Sequence, residues 1–172
     1  IVIDVQQGLC EGPDAAYETD ALIERINTLA QGARAAGVPV IFVQHEGSGD
    51  YLSYHSREWQ LPAALQALPG DGYLRKTTPD AFLRTDLQER LTALGVTRLV
   101  VCGMHTEFCV DTTTRRALAL GYPVTLVADG HTSAGNAALS APQVIAHHNA
   151  TLTHISSFGP RVSAVAAQDI RW

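Results

Sequence analysis

The feature that most constrains this chain is the repetition of short, unbroken apolar runs, rich in β-branched residues, separated by stretches of helical spacing. Residues 1–5, 38–43, 98–102 and 123–128 are runs of this kind, interrupted by Asp4 in the first and opened by Arg98 in the third. An unbroken run, in place of strict alternation, marks a strand covered on both faces. Residues 72–76 and 151–155 read as two further strands. Between the strands, apolar spacing predicts helices over 14–36 (capped by Asp14 or Thr19), 86–94, 106–120, 141–148 and 160–167, with Gly37, Gly95 and Gly121 closing the first three. Strands that alternate with helices need crossover connections, and these build a mainly parallel sheet. The expected architecture is α/β: a three-layer α/β/α sandwich on a six-stranded, Rossmann-like sheet. With 172 residues and no repeat, low-complexity stretch or linker, the chain reads as one domain over 1–172.

Composition narrows the function classes. The formal net charge is −5 and no basic run offsets it, which argues against nucleic acid or an anionic membrane as partner. No apolar run approaches the roughly 18 residues of a membrane span. The three cysteines are odd in number and widely spaced, and form neither a disulfide framework nor a C-x-x-C metal site. No secretory leader is visible, although the chain opens inside a strand-like run, and a reducing cytoplasm is the expected compartment.

In open parallel sheets, ligands bind beyond the carboxyl ends of the strands, where strand order reverses. Asp4 ends the first predicted strand, Lys76 the third, and Cys109 follows the fourth through the turn Gly103-Met104-His105-Thr106. Thr106 is a candidate N-cap and Glu107 suits a first helical turn. A thiol near a helix start is expected to favour thiolate. Each residue also has a plainer reading: Cys109 as a small buried hydrophobe, Asp4 as a turn carboxylate, Lys76 as a solvated strand end. Together at one sheet edge they form a nucleophile, a proton carrier and a cation.

These residues also carry a resemblance. Asp4-Val5-Gln6 after an apolar strand, Lys76 shortly before Ala81-Phe82, and Gly103-Met104-His105-Thr106-Glu107-Phe108-Cys109-Val110 resemble the isochorismatase-like cysteine hydrolases, over nearly the whole chain. Nicotinamidases, N-carbamoylsarcosine amidohydrolases, ureidoacrylate hydrolases and streptothricin hydrolases belong to that family. The resemblance implies a six-stranded parallel sheet, an Asp4–Lys76–Cys109 triad and a homo-oligomer. It also implies a cis peptide between Met104 and His105 that aims the backbone N–H groups of His105 and Cys109 at one oxyanion. The implied reaction is acyl transfer from a small amide, ureido or lactam compound through a Cys109 thioester, with no cofactor.

Two departures from the family pattern stand out. Glu107 replaces a more usual Asp, a change that either side chain's fit to a helix start makes minor. The nicotinamidase metal, held by an Asp and several His after the second strand, has no matching spacing among His45, Glu46, Asp50 and His55, so no metal is expected. Isochorismatases that cleave a vinyl ether often lack the cysteine, so its presence favours C–N cleavage. A C–O vinyl ether hydrolase and a non-catalytic small-molecule binding module are the alternatives.

Three further residues are candidate substrate contacts, each with a structural reading beside it. Gln6 either bonds near Asp4 or caps the strand end. Trp59, in the long polar loop 44–60, either stacks on a planar substrate or pins the loop. His131 follows the fifth strand and either meets substrate or belongs to an ordinary loop. Cys102 reads as inert core.

Overall fold

A computed structural model describes residues 1–172. At its centre stands one sheet of β1 (Val2–Ile3), β2 (Ile41–His45), β3 (Gly72–Lys76), β4 (Leu99–Met104), β5 (Val124–Thr132) and β6 (Val162–Val165). Every neighbouring pair is parallel and the order is β3-β2-β1-β4-β5-β6. The direction of winding reverses between β1 and β4, which makes their carboxyl ends the natural ligand crevice.

Period-two alternation sends successive strand residues to opposite faces. Val2 therefore packs with Leu22, Ile23, Ile26 and Leu29 of α2 (Thr19–Ala35), after a short α1 (Gln7–Cys10). Ile3 faces the other way, into a second core. Leu87 and Leu91 of α3 (Leu87–Ala93), Leu118 of α4 (Asp111–Ala119) and Leu152 of α5 (Ala141–His154) close that core. No helix is long and apolar enough to cross a membrane.

Two elements near the carboxyl end differ from the sequence reading. Residues 151–155, expected as a strand, complete α5. Ser140 and Gln143 form a capping box with Pro142 in the first turn, and the helix they start runs on to His154, burying Leu152. The sixth strand is instead Val162–Val165, where a helix was expected. Pro160 suits a helix start, and it suits equally the approach to an edge strand, where no ladder hydrogen bond is lost.

Three smaller differences bear on the site. Strand β1 is only two residues long, because Asp4 leaves it with φ +50°. Residues 7–10, between the first predicted strand and helix, are helical. Strand β5 runs past Ala128 to Thr132, because an irregularity in its pairing with β4 shifts the register and sets His131 beside Gly103. Gly103 itself sits where β1 and β4 meet, at φ +121°. A Cβ there would lie 2.0 Å from the Ile3 carbonyl oxygen, so only glycine lets the two strands close.

Candidate active site

Four side chains meet above the switch point. The Asp4 backbone N–H donates to the Val43 carbonyl at 2.8 Å, and the left-handed turn at Asp4 swings its carboxylate off the strand line. Aspartate tolerates that conformation better than most residues. His45 and Lys76 are the last residues of β2 and β3 and are paired in register, so they project from the same face. The Lys76 ammonium, fully buried, lies 2.6 Å from Asp4 Oδ2, 3.0 Å from His45 Nδ1 and 3.2 Å from Cys109 Sγ. Its three N–H donors thus have three partners. Asp4 is 1% exposed, and its second oxygen, Oδ1, has no protein partner.

Cys109 comes from the turn after β4. The peptide between Met104 and His105 is cis, and residues Thr106–Val110 wind as a single π-helical turn into α4. Thr106 does not cap this turn. It is the first helical residue, and its hydroxyl lies 2.8 Å from His131 Nδ1. His105, outside every strand and helix, donates its backbone N–H to no other backbone group. The His105 ring is partly buried, which holds it below the usual imidazole range, against the pull of Glu107 and Asp4.

The charge state of Cys109 departs from expectation. Burial pushes the thiol up to about 12, the Asp4 charge pushes it the same way, and Lys76 opposes both. A helix start favours the thiolate, but desolvation is here the larger effect. At neutral pH the resting side chain is therefore a thiol, and its proton has to move when sulfur attacks.

A cavity of about 180 Å³ opens over the sulfur, walled by Leu9, Leu52, Pro79 and Phe108 beside the polar cluster. A second cavity of about 400 Å³ adjoins it, sharing Leu9, Tyr51, His105 and Phe108 and carrying Glu11, Asp14 and Glu107 on its rim. Tyr51 and Phe108 line both cavities and are largely exposed, and the sequence reading had not singled them out.

The candidate contacts fall elsewhere. Gln6 is fully buried, and its amide is used up on the backbone of His45 and Trp59. Trp59 lies outside the cavity lining; its ring packs edge-on against Tyr54, and its carbonyl accepts from Gln6 and Gln44. His131 is buried behind the turn, with Nδ1 facing Thr106 and Nε2 facing Asn149 Oδ1 at 3.0 Å. With both ring nitrogens occupied, it frames the turn and does not reach the sulfur cavity.

His45 is the residue the sequence reading missed as a partner of Asp4, Lys76 and Cys109. Carrying the second strand two residues beyond Val43 would have put it at the same sheet edge as Asp4 and Lys76. Its donor atom lies within 4.8 Å of those of Asp4 and Cys109, a set that suits a divalent ion such as zinc. The Lys76 ammonium already stands in bonding contact with all three, so this donor set is taken up by the lysine. His55 is turned away against the Tyr54 ring.

A family model described as the isochorismatase domain matches residues 1–160. The chain belongs to the isochorismatase family. Among relatives, it is 38% identical over 132 residues to a streptothricin hydrolase of Streptomyces noursei, covering 76% of this chain and 48% of that protein. It thus spans about half the length of the streptothricin hydrolases it matches. It is 30% identical over 205 residues to the ureidoacrylate amidohydrolase RutB of Methylobacterium radiotolerans, covering 97% of this chain and 76% of that one. A solved cysteine hydrolase from Pseudomonas syringae pv. phaseolicola superposes with a TM-score of 0.89 at 25% identity, covering 98% of this chain and 87% of that chain. This isochorismatase-family chain therefore combines the family's sheet with a buried Asp4–Lys76 pair that meets the half-buried Cys109 at its switch point.

Proposed function

We propose that the protein is a cysteine hydrolase that cleaves a C–N bond, in a small amide, ureido or lactam compound, through a thioester on Cys109. The observation that carries this reading is the Lys76 ammonium bonded to Asp4 and Cys109 together, with the carboxylate and the thiol within 4.8 Å of one another and Asp4 Oδ1 left without a partner. Relatives named streptothricin hydrolase and ureidoacrylate amidohydrolase support the amide class.

In the proposed reaction the Cys109 sulfur attacks the substrate carbonyl carbon as its proton passes to Asp4. A C–S bond forms and the carbonyl oxygen becomes an oxyanion. The backbone N–H groups of His105 and Cys109 are the proposed donors to that oxyanion. Collapse of the intermediate breaks the C–N bond, and Asp4 hands its proton to the departing nitrogen. Water then gives a proton to Asp4 and its oxygen to the thioester carbon. The C–S bond breaks, the acid leaves, and Asp4 returns the proton to sulfur. Lys76 offsets the negative charge that moves between Asp4, sulfur and oxyanion. The inner cavity holds the reacting carbonyl and the outer cavity the rest of a small substrate.

A panel of small primary amides, ureido acids and lactams, scored by release of ammonia or amine, tests the reading. At least one member is expected to turn over, with loss of about 10⁴-fold or more in Cys109→Ala. Turnover of a vinyl ether that survives Cys109→Ala would replace this reading with C–O cleavage.

A further inference from the structure

The Lys76 ammonium has three partners, and two of them change during the proposed reaction. Asp4 gains and loses a proton. Cys109 passes from thiol through a tetrahedral intermediate to a thioester. Only His45 stays the same throughout. We infer that His45 is a positioning residue of this hydrolase, whose imidazole lone pair anchors the Lys76 ammonium where it serves Asp4 and Cys109 at once. The inference rests on the cysteine-hydrolase reading of the site.

Strand order explains why the anchor sits at this position. Strand β2 lies between β3 and β1, so a lysine at the end of β3 must cross the end of β2 to reach Asp4. His45 is the β2 residue in register with Lys76 and so lies under that path. A four-carbon stem leaves an ammonium free to swing unless its donors are held. His45 Nδ1 holds one of them at 3.0 Å.

His45 is itself fixed. Its backbone N–H donates to Gln6 Oε1 at 2.8 Å and its carbonyl accepts from Gln6 Nε2 at 3.0 Å. Burial and the Lys76 charge hold the imidazole below its usual range, against the opposing pull of Asp4 and Glu46. At neutral pH it can therefore accept from the ammonium. With its lone pair committed to Lys76, His45 is not a general base for the substrate. This arrangement also gives the fully buried Gln6 a purpose, since it ties His45 to the strand end and to the Trp59 carbonyl.

The test compares His45→Leu, which removes the acceptor, with His45→Asn, whose side-chain oxygen falls near the Nδ1 position. Steady-state kinetics on an amide from the panel should show His45→Leu losing about 10- to 100-fold, mainly in kcat with KM moving far less, the range of a lost hydrogen bond to a charged group. His45→Asn should recover about tenfold of that loss. The rate of Cys109 alkylation by iodoacetamide at fixed pH, read by peptide mapping, should fall in the Leu variant and return towards wild type in the Asn variant. Thermal melting of each variant confirms that folded protein is compared. Equal losses in the two variants, a loss confined to KM, or unchanged kcat and alkylation in His45→Leu would each overturn the inference. If wild type turns over no amide, the proposed function fails, and the alkylation comparison still decides whether His45 anchors Lys76.

Discussion

The site has two halves, built on different principles. On the β3-β2-β1 side, ions and near-ions meet: Lys76, His45 and Asp4 at the ends of three adjacent strands. On the β4-β5 side a run of uncharged side chains braces the turn: Thr106 bonds to His131, His131 to Asn149, and Asn149 Nδ2 to the Ala128 carbonyl, linking the Cys109 turn to α5 and β5. Gly103 is the seam at which β1 and β4 close. In the proposed reaction the charged half moves the proton and offsets the charge, whereas the His131 bridge holds the turn through hydrogen bonds alone. The two halves should therefore fail in different ways when broken.

The largest effect is expected on the charged side. Lys76→Met leaves the Asp4 carboxylate buried and unpaired, and should cost about 3–5 kcal/mol of stability together with essentially all turnover. The double variant Lys76→Met with Asp4→Asn removes both charges and should regain most of that stability while staying inactive. Denaturant melts and activity measured on the same preparations check this. A double variant as unstable as the single one would show that the ion pair is not what the burial penalty falls on.

A smaller effect is expected on the neutral side. His131→Leu leaves the Thr106 hydroxyl and Asn149 Oδ1 without their hydrogen-bond partner and should cost about 1–3 kcal/mol. Activity should fall only as far as the turn loosens. The pH dependence adds a sign. Burial lowers the His131 imidazole below its ordinary value of 6.5, against the raising effect of its bond to Asn149. The unfolded chain therefore takes up the proton first as pH falls. The stability His131 contributes is fully present above 6.5 and is lost as pH falls from there through the lowered folded value. Melts from neutral to mildly acid pH should show wild type losing more stability than His131→Leu. Parallel curves would assign the acid loss to other groups, such as His105, which burial also lowers.

The same division shows what could be read from sequence. Asp4, Lys76 and Cys109 were legible because each follows a recognisable apolar or short strand and the sheet rule gathers strand ends at one edge. His45 was not, because the polar Gln44 and His45 looked like loop although β2 continues through both. His131 was placed in a loop because the irregularity in β5 carries no local sequence mark and exists only relative to β4. The exchange of strand and helix near the carboxyl end has a similar cause: residues 151–155 carry β-branched threonines, and the capping box eleven residues earlier outweighs them. The thiol state of Cys109 depends on burial, which no local pattern reports. What sequence conveys well is position along the chain and at sheet edges; what it conveys poorly is the balance of desolvation against charge.

Mass spectrometry of the enzyme quenched during turnover of an amide tests the central claim most directly. A mass increase equal to the acyl group is expected on the peptide carrying Cys109, absent from the peptides of Cys10 and Cys102, labile to hydroxylamine and missing in Cys109→Ala. Sustained C–N cleavage by Cys109→Ala, with no acyl adduct on wild type at any time of quenching, would contradict it.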